Sequence, residues 1–128
     1  MAKIKYTLDY VIKSSPSLLY SFLTNPSDLA RWFAEDVSKH DNVYSFFWSG
    51  QRENAIVLEQ EEKSFIRLQF EDNEEGEFFE FRIEKSPVTG DTVLIITDFS
   101  DSKLDMEDEI KLWNAQVKVL VGKLGGSN

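Results

Sequence analysis

The chain has no cysteine, a single histidine and only three prolines among its 128 residues. Without cysteine it cannot form a disulfide, use a thiol as a nucleophile or bind zinc through sulfur. The one histidine, His40, stands between Lys39 and Asp41 and has no second imidazole with which to share a metal or relay a proton. We therefore interpret His40 as a surface residue and expect neither a metal nor a cofactor.

Basic residues are also scarce, since Lys and Arg number 14 against 23 Asp and Glu, which leaves a net charge of −9. This negative charge repels phosphate groups, so we do not expect a nucleic acid as a partner. No window approaches the roughly 20 apolar residues of a membrane span, and no apolar stretch follows the first lysines, so neither insertion nor secretion is expected. Together these absences predict a soluble protein of the cytoplasm.

Familiar catalytic motifs are missing as well. The sequence contains no Gly-x-Ser-x-Gly elbow, no phosphate-binding glycine loop and no His-Glu-x-x-His. The acidic residues between positions 98 and 109 lack the glycine and the ligand spacing of a calcium loop. We therefore expect a protein that is not an enzyme.

Alternating apolar residues predict a sheet of about seven strands. From Ile4 to Ile12 every even position is apolar, which is the period of a half-buried strand. Beyond Ala34, turn residues divide the chain at regular intervals into stretches with strand character, which is typical of an antiparallel meander. The six strands predicted there span residues 34–40, 43–49, 53–61, 64–71, 77–86 and 91–99.

Helix signals precede and follow these strands. Ser15-Pro16 and Asn25-Pro26 each place a capping side chain before a proline, which predicts two short helices after the first strand. A third helix, about residues 104–124, is predicted by Asp101 and Ser102 as candidate N-caps and by Gly125-Gly126 at its end. Its apolar residues recur every three or four positions: Met106, Ile110, Trp113, Val117, Leu120 and Leu124. The fold class is therefore α+β, in one domain covering residues 1–128.

Aromatic residues are abundant, with ten Phe, four Tyr and three Trp. Two interpretations remain open, because aromatic side chains suit both a sheet–helix core and the wall of an apolar ligand pocket. The residues that we predict to line such a pocket are Trp32, Phe46, Trp48, Ile66, Leu68, Phe79, Phe81, Trp113 and Val117.

The segment Thr-Asn-Pro-Ser-Asp-Leu-Ala-Arg-Trp-Phe at residues 24–33 resembles a family signature. It is similar to the second helix of the START-like (SRPBCC, helix-grip) superfamily, in the branch related to chaperone-ATPase activators. The helix start at 15–20, the Phe-Phe-Trp-Ser-Gly at 46–50 and the closing helix at 113–125 are also similar, so the resemblance covers essentially the whole chain. Residues 52–54 lack a glycine of that branch, and Ile66-Arg67 stands where the branch has a Trp-Arg pair. With these departures the chain resembles an uncharacterised side branch more than a typical activator.

This resemblance implies a helix-grip fold, in which a curved antiparallel sheet holds the long C-terminal helix. It also implies a cavity between sheet and helix that binds a hydrophobic small molecule or lipid. Two alternatives stay open: a protein-interaction module like the chaperone-ATPase activators, and a cyclase- or hydrolase-like enzyme. For the enzyme, the resemblance implies Tyr20, Arg67 and Asp98 as candidate acid–base or orienting groups. The expected partners are thus a hydrophobic small molecule or a protein. Because exposed strand edges can pair with a second copy, the chain is expected to be a monomer or a homodimer.

Overall fold

The structure is a computed structural model that describes residues 3–125. Its elements follow the predicted order, and the α+β helix-grip architecture is confirmed. Gly126, part of the predicted helix stop, lies outside the described residues. The elements are β1 (Ile4–Ile12), α1 (Pro16–Thr24), α2 (Pro26–Leu29), β2 (Asp36–His40), β3 (Val43–Trp48), β4 (Gln51–Glu61), β5 (Phe65–Phe70), β6 (Phe79–Lys85), β7 (Thr92–Ser100) and α3 (Lys103–Lys123).

The seven strands form one antiparallel sheet in the order β1-β7-β6-β5-β4-β3-β2. The first strand pairs with the last, so that Ile4 lies opposite Ser100 and Ile12 opposite Thr92. Because α3 follows β7 directly, it packs on the β1–β7 end of the sheet. This arrangement brings residues from both ends of the chain together beneath one helix.

Side-chain caps begin the helices at the predicted places. The Oγ of Ser15 accepts a hydrogen bond from the backbone N–H of Leu18 at 3.2 Å, and each short helix has proline in its first turn. At α3 the cap is Ser102, whose Oγ accepts from the N–H of Asp105 at 3.0 Å. Gly125 follows the helix with a φ of +78°, a left-handed conformation that favours glycine and ends the helix.

The core lies between the concave face of the sheet and the helices. Side chains of alternate residues point inward, and Tyr44, Phe46, Phe81 and Ile96 are each at most 1% exposed. The apolar run of β7 alternates between the two faces of the sheet. Leu94 and Ile96 are buried on the core side, whereas Val93 and Ile95 lie on the opposite face. From α3, Trp113, Val117 and Leu120 complete the core. Within residues 3–125, no helix combines the length and the apolar character needed to cross a bilayer.

Candidate functional site

The middle of α3 covers a space that aromatic side chains fill. Phe33, four residues beyond the end of α2, places its ring 5.1 Å from that of Phe46, 5.6 Å from Phe81 and 5.8 Å from Trp113, measured between centroids. Trp113 and Val117, on the inner face of α3, are 7% and 4% exposed. The region directly under the centre of the helix is therefore closed core.

Beside Phe33 a cavity of about 310 Å³ remains and opens to solvent. It lies between residues 109–116 of α3 and the rim of the sheet formed by β3 and β4, with the end of β7 as its floor. Its lining residues are Phe33, Trp48, Glu53, Asp98, Glu109, Leu112, Trp113 and Gln116.

Three aromatic rings form one wall of the cavity and are held in place by hydrogen bonds. Trp48 donates its indole N–H to the carbonyl of Phe33 at 2.9 Å, and Gln116 donates to the same carbonyl at 3.0 Å. The ring of Phe33 stacks on that of Trp113 with an interplanar angle of 19° and meets that of Trp48 at 76°. A wall fixed in this way loses little conformational entropy when a ligand binds.

Two carboxylates and a tyrosine meet at the floor. Tyr6 and Asp98 are cross-strand partners of β1 and β7, and both side chains point toward α3. The hydroxyl of Tyr6 donates to Glu109 Oε1 at 2.9 Å and lies 3.4 Å from Asp98 Oδ2. The other Glu109 oxygen accepts from the Ser100 hydroxyl at 2.9 Å. Residues from two strands and a helix thus form one hydrogen-bonded cluster.

Burial raises the pKa of Asp98 to about 6, and the negative charge of Glu109 adds to the rise. Hydrogen bonds donated to the Asp98 carboxylate by the Phe99 backbone, the Trp113 indole at 3.2 Å and Tyr6 oppose the rise without cancelling it. Burial and the neighbouring carboxylates also raise the pKa of Tyr6, so its hydroxyl remains a donor. The floor therefore carries a carboxyl group that titrates near neutral pH.

The charges around the cavity have one sign. Glu53, Asp98 and Glu109 are acidic, and none of the eight lining residues is Lys or Arg. The described part of the chain has no cluster of three or more His, Asp or Glu arranged to hold a metal ion. The chemistry available here is hydrogen-bond acceptance, proton exchange at Asp98 and contact with aromatic faces.

The structure separates the nine residues predicted to line a pocket. Trp48 and Trp113 lie in the cavity wall, and Trp32 lines a shallower depression of about 250 Å³ on the other side of Phe33. The remaining six pack in the core, each at most 4% exposed: Phe46, Ile66, Leu68, Phe79, Phe81 and Val117.

Of the three candidate acid–base residues, only Asp98 reaches the cavity. The Tyr20 hydroxyl accepts a hydrogen bond from Gln60 at 2.7 Å, and Arg67 bonds to Glu80 on the opposite face of the sheet. His40 lies at the surface of β2 with 97% of its side chain exposed, as predicted. These residues share no site.

Asp98 was named only as a candidate acid–base group, and the other lining residues were missed, although the sequence contained a signal for some of them. Leu94, Ile96 and Asp98 alternate along β7, so once Leu94 is known to face inward Asp98 must as well. Glu109, Leu112 and Gln116 follow helical spacing beside the apolar stripe of α3. Phe33 lies outside regular structure, and no periodicity indicates its direction.

The geometry agrees with comparisons to known proteins. The profile of the START-like superfamily domain matches residues 1–126. The structure of BfR322 from Bacteroides fragilis is 32% identical, with a TM-score of 0.69, over 100% of this chain and 95% of that one. The comparison with curated proteins found no significant match.

Two further solved structures share the fold at lower identity. The Aha1 dimer from Colwellia psychrerythraea has a TM-score of 0.78 at 19% identity, over 94% of this chain and 96% of that one. CV1439 from Chromobacterium violaceum has a TM-score of 0.69 at 20% identity, over 96% and 98%. With its seven-stranded sheet, its closing helix and a profile match over nearly its whole length, the chain belongs to the START-like superfamily.

Proposed function

We propose that this chain is a non-catalytic START-like binding domain that holds a small molecule with an apolar body in the cavity beside α3. The observation that carries the proposal is the aromatic wall of Phe33, Trp48 and Trp113 around an open space of about 310 Å³. Ligand sites in proteins are typically concave and mostly apolar, with a few polar groups that orient the ligand. The Asp98 and Glu109 carboxylates supply such groups here.

The volume limits the ligand. About 310 Å³ is at the lower end of the range of roughly 300–1,000 Å³ usual for ligand pockets, so the cavity suits a molecule of one ring or a short chain. A long-chain lipid would have to displace Phe33, which is 5% exposed and packed among other rings. Within the class of hydrophobic ligands we therefore favour compact molecules over lipids.

The test uses the indole N–H resonances of the three tryptophans in a proton–nitrogen correlation spectrum. Phenethyl alcohol, a one-ring probe, is expected to shift the signals of Trp48 and Trp113, because both line the cavity. Trp32 is the internal control, since its indole donates to the Phe22 carbonyl at 2.7 Å in a buried position. Unchanged Trp48 and Trp113 signals at saturating probe would contradict the proposal.

A second candidate function is that of a cyclase- or hydrolase-like enzyme, and one observation favours it. The Asp98 carboxyl lies at the floor of an open cavity, and burial raises its pKa to about 6, which suits a general acid or base near neutral pH. The test compares wild type and Asp98→Asn on aryl esters and epoxides of one ring. Turnover that falls about a hundredfold or more in the variant supports catalysis, whereas equal background rates in both exclude it for these substrates.

A protein partner, expected from the family resemblance, and a homodimer, expected from exposed strand edges, stay predictions. Their support is the likeness to Aha1, which was solved as a dimer, and this likeness of 19% identity carries the fold alone. The exposed side chains of Leu104, Leu112 and Val119 on α3, which are 72%, 61% and 45% exposed, are the part of the described surface that favours a protein contact.

A further inference from the structure

The cavity combines an aromatic wall with acidic groups on its other sides. Asp98 and Glu109 lie at the floor, and Glu53 stands at the solvent-exposed rim on β4. No lysine or arginine among the eight lining residues balances these three carboxylates, and the whole chain carries a charge of −9. A ligand in this space therefore experiences a negative potential, which a positive charge would lower in energy.

The aromatic wall favours the same sign of charge. Each ring face carries the negative part of a quadrupole, and tryptophan attracts cations most strongly. The ring of Trp48 lies at 76° to that of Phe33, whereas Trp113 is nearly parallel to Phe33 at 19°. The rings thus do not all stack flat on one another, and a group in the cavity meets two indoles and a phenyl ring.

The floor also has free hydrogen-bond capacity for a donor. An ionised carboxylate offers about four lone-pair positions. Asp98 accepts from the Phe99 backbone at 2.8 Å and from Trp113 at 3.2 Å, with the Tyr6 hydroxyl 3.4 Å away, and Glu109 accepts one bond at each oxygen, from Tyr6 and Ser100. Both carboxylates can therefore accept a further N–H hydrogen bond. That bond is stronger when the donor is itself charged than when it is neutral.

From this wall and floor we propose that the ligand of the cavity is an organic cation, a protonated amine attached to one aromatic ring or a short alkyl chain. The ammonium group lies between the Asp98 and Glu109 carboxylates and the indoles of Trp48 and Trp113, and the apolar body contacts Phe33 and Leu112. The proposal rests on the binding function proposed above, because it names the chemical class of the ligand of that same cavity.

The test compares three probes that share a phenyl ring and a short chain and differ in charge: phenethylamine, phenethyl alcohol and hydrocinnamate. Binding is followed at neutral pH through the indole signals of Trp48 and Trp113, with Trp32 as the internal control. The amine is expected to bind about tenfold more tightly than the alcohol, which corresponds to one charge-assisted hydrogen bond. Hydrocinnamate is expected to bind more weakly than both.

Charge-removing variants test whether the preference arises in the cavity. Glu109→Gln is expected to weaken amine binding about fivefold and to weaken alcohol binding by a smaller factor, because the alcohol carries no charge. Glu107→Gln is the matched control, because it removes the same charge from an exposed position on the same helix, and it is expected to leave amine binding within about twofold. Glu53→Gln, at the exposed rim, is the second variant in case the hydrogen bonds of Glu109 are needed for folding.

The outcomes separate the two proposals. If the amine and the alcohol bind equally, the inference about charge is overturned while the binding function stands. If none of the probes shifts Trp48 or Trp113, both fail. If the amine is preferred but Glu109→Gln and Glu53→Gln behave like Glu107→Gln, the selectivity comes from the overall charge and the proposed cation site is wrong.

Discussion

The ring of Phe33 is packed at the centre of an aromatic cluster. Its centroid lies between 5.1 and 5.9 Å from those of six other aromatic rings. Phe33→Ala removes these contacts and leaves a void in a part of the core that its neighbours cannot fully close. We expect the free energy of unfolding to fall by about 3–5 kcal/mol, measured by urea denaturation.

The control for this variant is Leu112→Ala, which also changes a lining residue. Because the side chain of Leu112 is 61% exposed, we expect a change of at most about 0.5 kcal/mol. A similar loss in both variants would contradict the central role of Phe33 in the packing.

The protonation of Asp98 links the cavity floor to the stability of the fold. Its pKa rises from 3.8 to about 6 on folding, so the folded state holds the proton more tightly. The stability that this group contributes is therefore fully present below about pH 4 and is lost as the pH rises through about 6. At about 1.4 kcal/mol per tenfold change in the ionisation constant, the whole contribution is roughly 3 kcal/mol. The groups facing Asp98 are Tyr6, Trp113 and Glu109.

Asp98→Asn removes this titration. We expect its stability relative to wild type to increase by about 2–3 kcal/mol between about pH 4 and about pH 7, measured by urea denaturation across that range. The exposed Glu107→Gln serves as the control and should follow the wild-type profile. Parallel profiles of stability against pH for wild type and Asp98→Asn would show that burial does not raise the pKa of this carboxyl.

Among the elements, β5 and β6 are joined on the outer face of the sheet by a buried carboxylate between two guanidinium groups. Glu80 is 5% exposed, and its oxygens lie 2.8 Å from Arg67 Nη2 and 3.0 Å from Arg82 Nε. Phe78 and Phe65 cover these groups, with ring centroids 4.3 and 4.2 Å from the two guanidinium carbons. Burial alone would raise the pKa of Glu80, but the hydrogen bonds from Arg82 and Arg67 outweigh it and lower the pKa.

Glu80→Gln breaks both ion pairs, and we expect a loss of about 1–3 kcal/mol at neutral pH by urea denaturation. Because the folded-state pKa is lowered, the contribution of Glu80 is present above its ordinary value of 4.5 and is lost as the pH falls through the folded-state pKa. The gap between wild type and variant should therefore narrow in acid. Glu84→Gln, at an exposed position of the same strand, is the control and should change little.

For the molecule as a whole, two sources of negative charge attract a cation. The net charge of −9 acts over long distances, whereas the carboxylates of the cavity act at close contact. Salt screens charges that lie more than about 10 Å apart and affects partly buried pairs much less. Raising NaCl from about 0.05 M to about 0.5 M is expected to reduce phenethylamine binding by about twofold to threefold. Phenethyl alcohol, titrated in parallel, should be unaffected. If the preference for the amine vanishes at high salt, it arises from the overall charge and not from the carboxylates of the cavity.

Local patterns were sufficient to predict the order and type of all ten elements. The alternation in β1, the Ser15 and Asn25 caps and the apolar stripe of α3 each depend on neighbours in sequence. Strand ends differ from the prediction by up to two residues, because pairing with the neighbouring strand decides where a strand stops. The family resemblance was likewise readable in the segment at residues 24–33.

The candidate site depended on contacts that no local pattern contains. Tyr6 and Glu109 are 103 positions apart, and they meet only because β1 pairs with β7 and α3 folds back over both. The direction of Phe33 is decided by the rings that surround it, and that direction determines how much space remains for a ligand. The order and type of the elements follow from local patterns, since caps, turns and periodicity act over a few residues. The size of the cavity and the charges within it depend on the tertiary structure, because packing and burial act between residues that are distant along the chain.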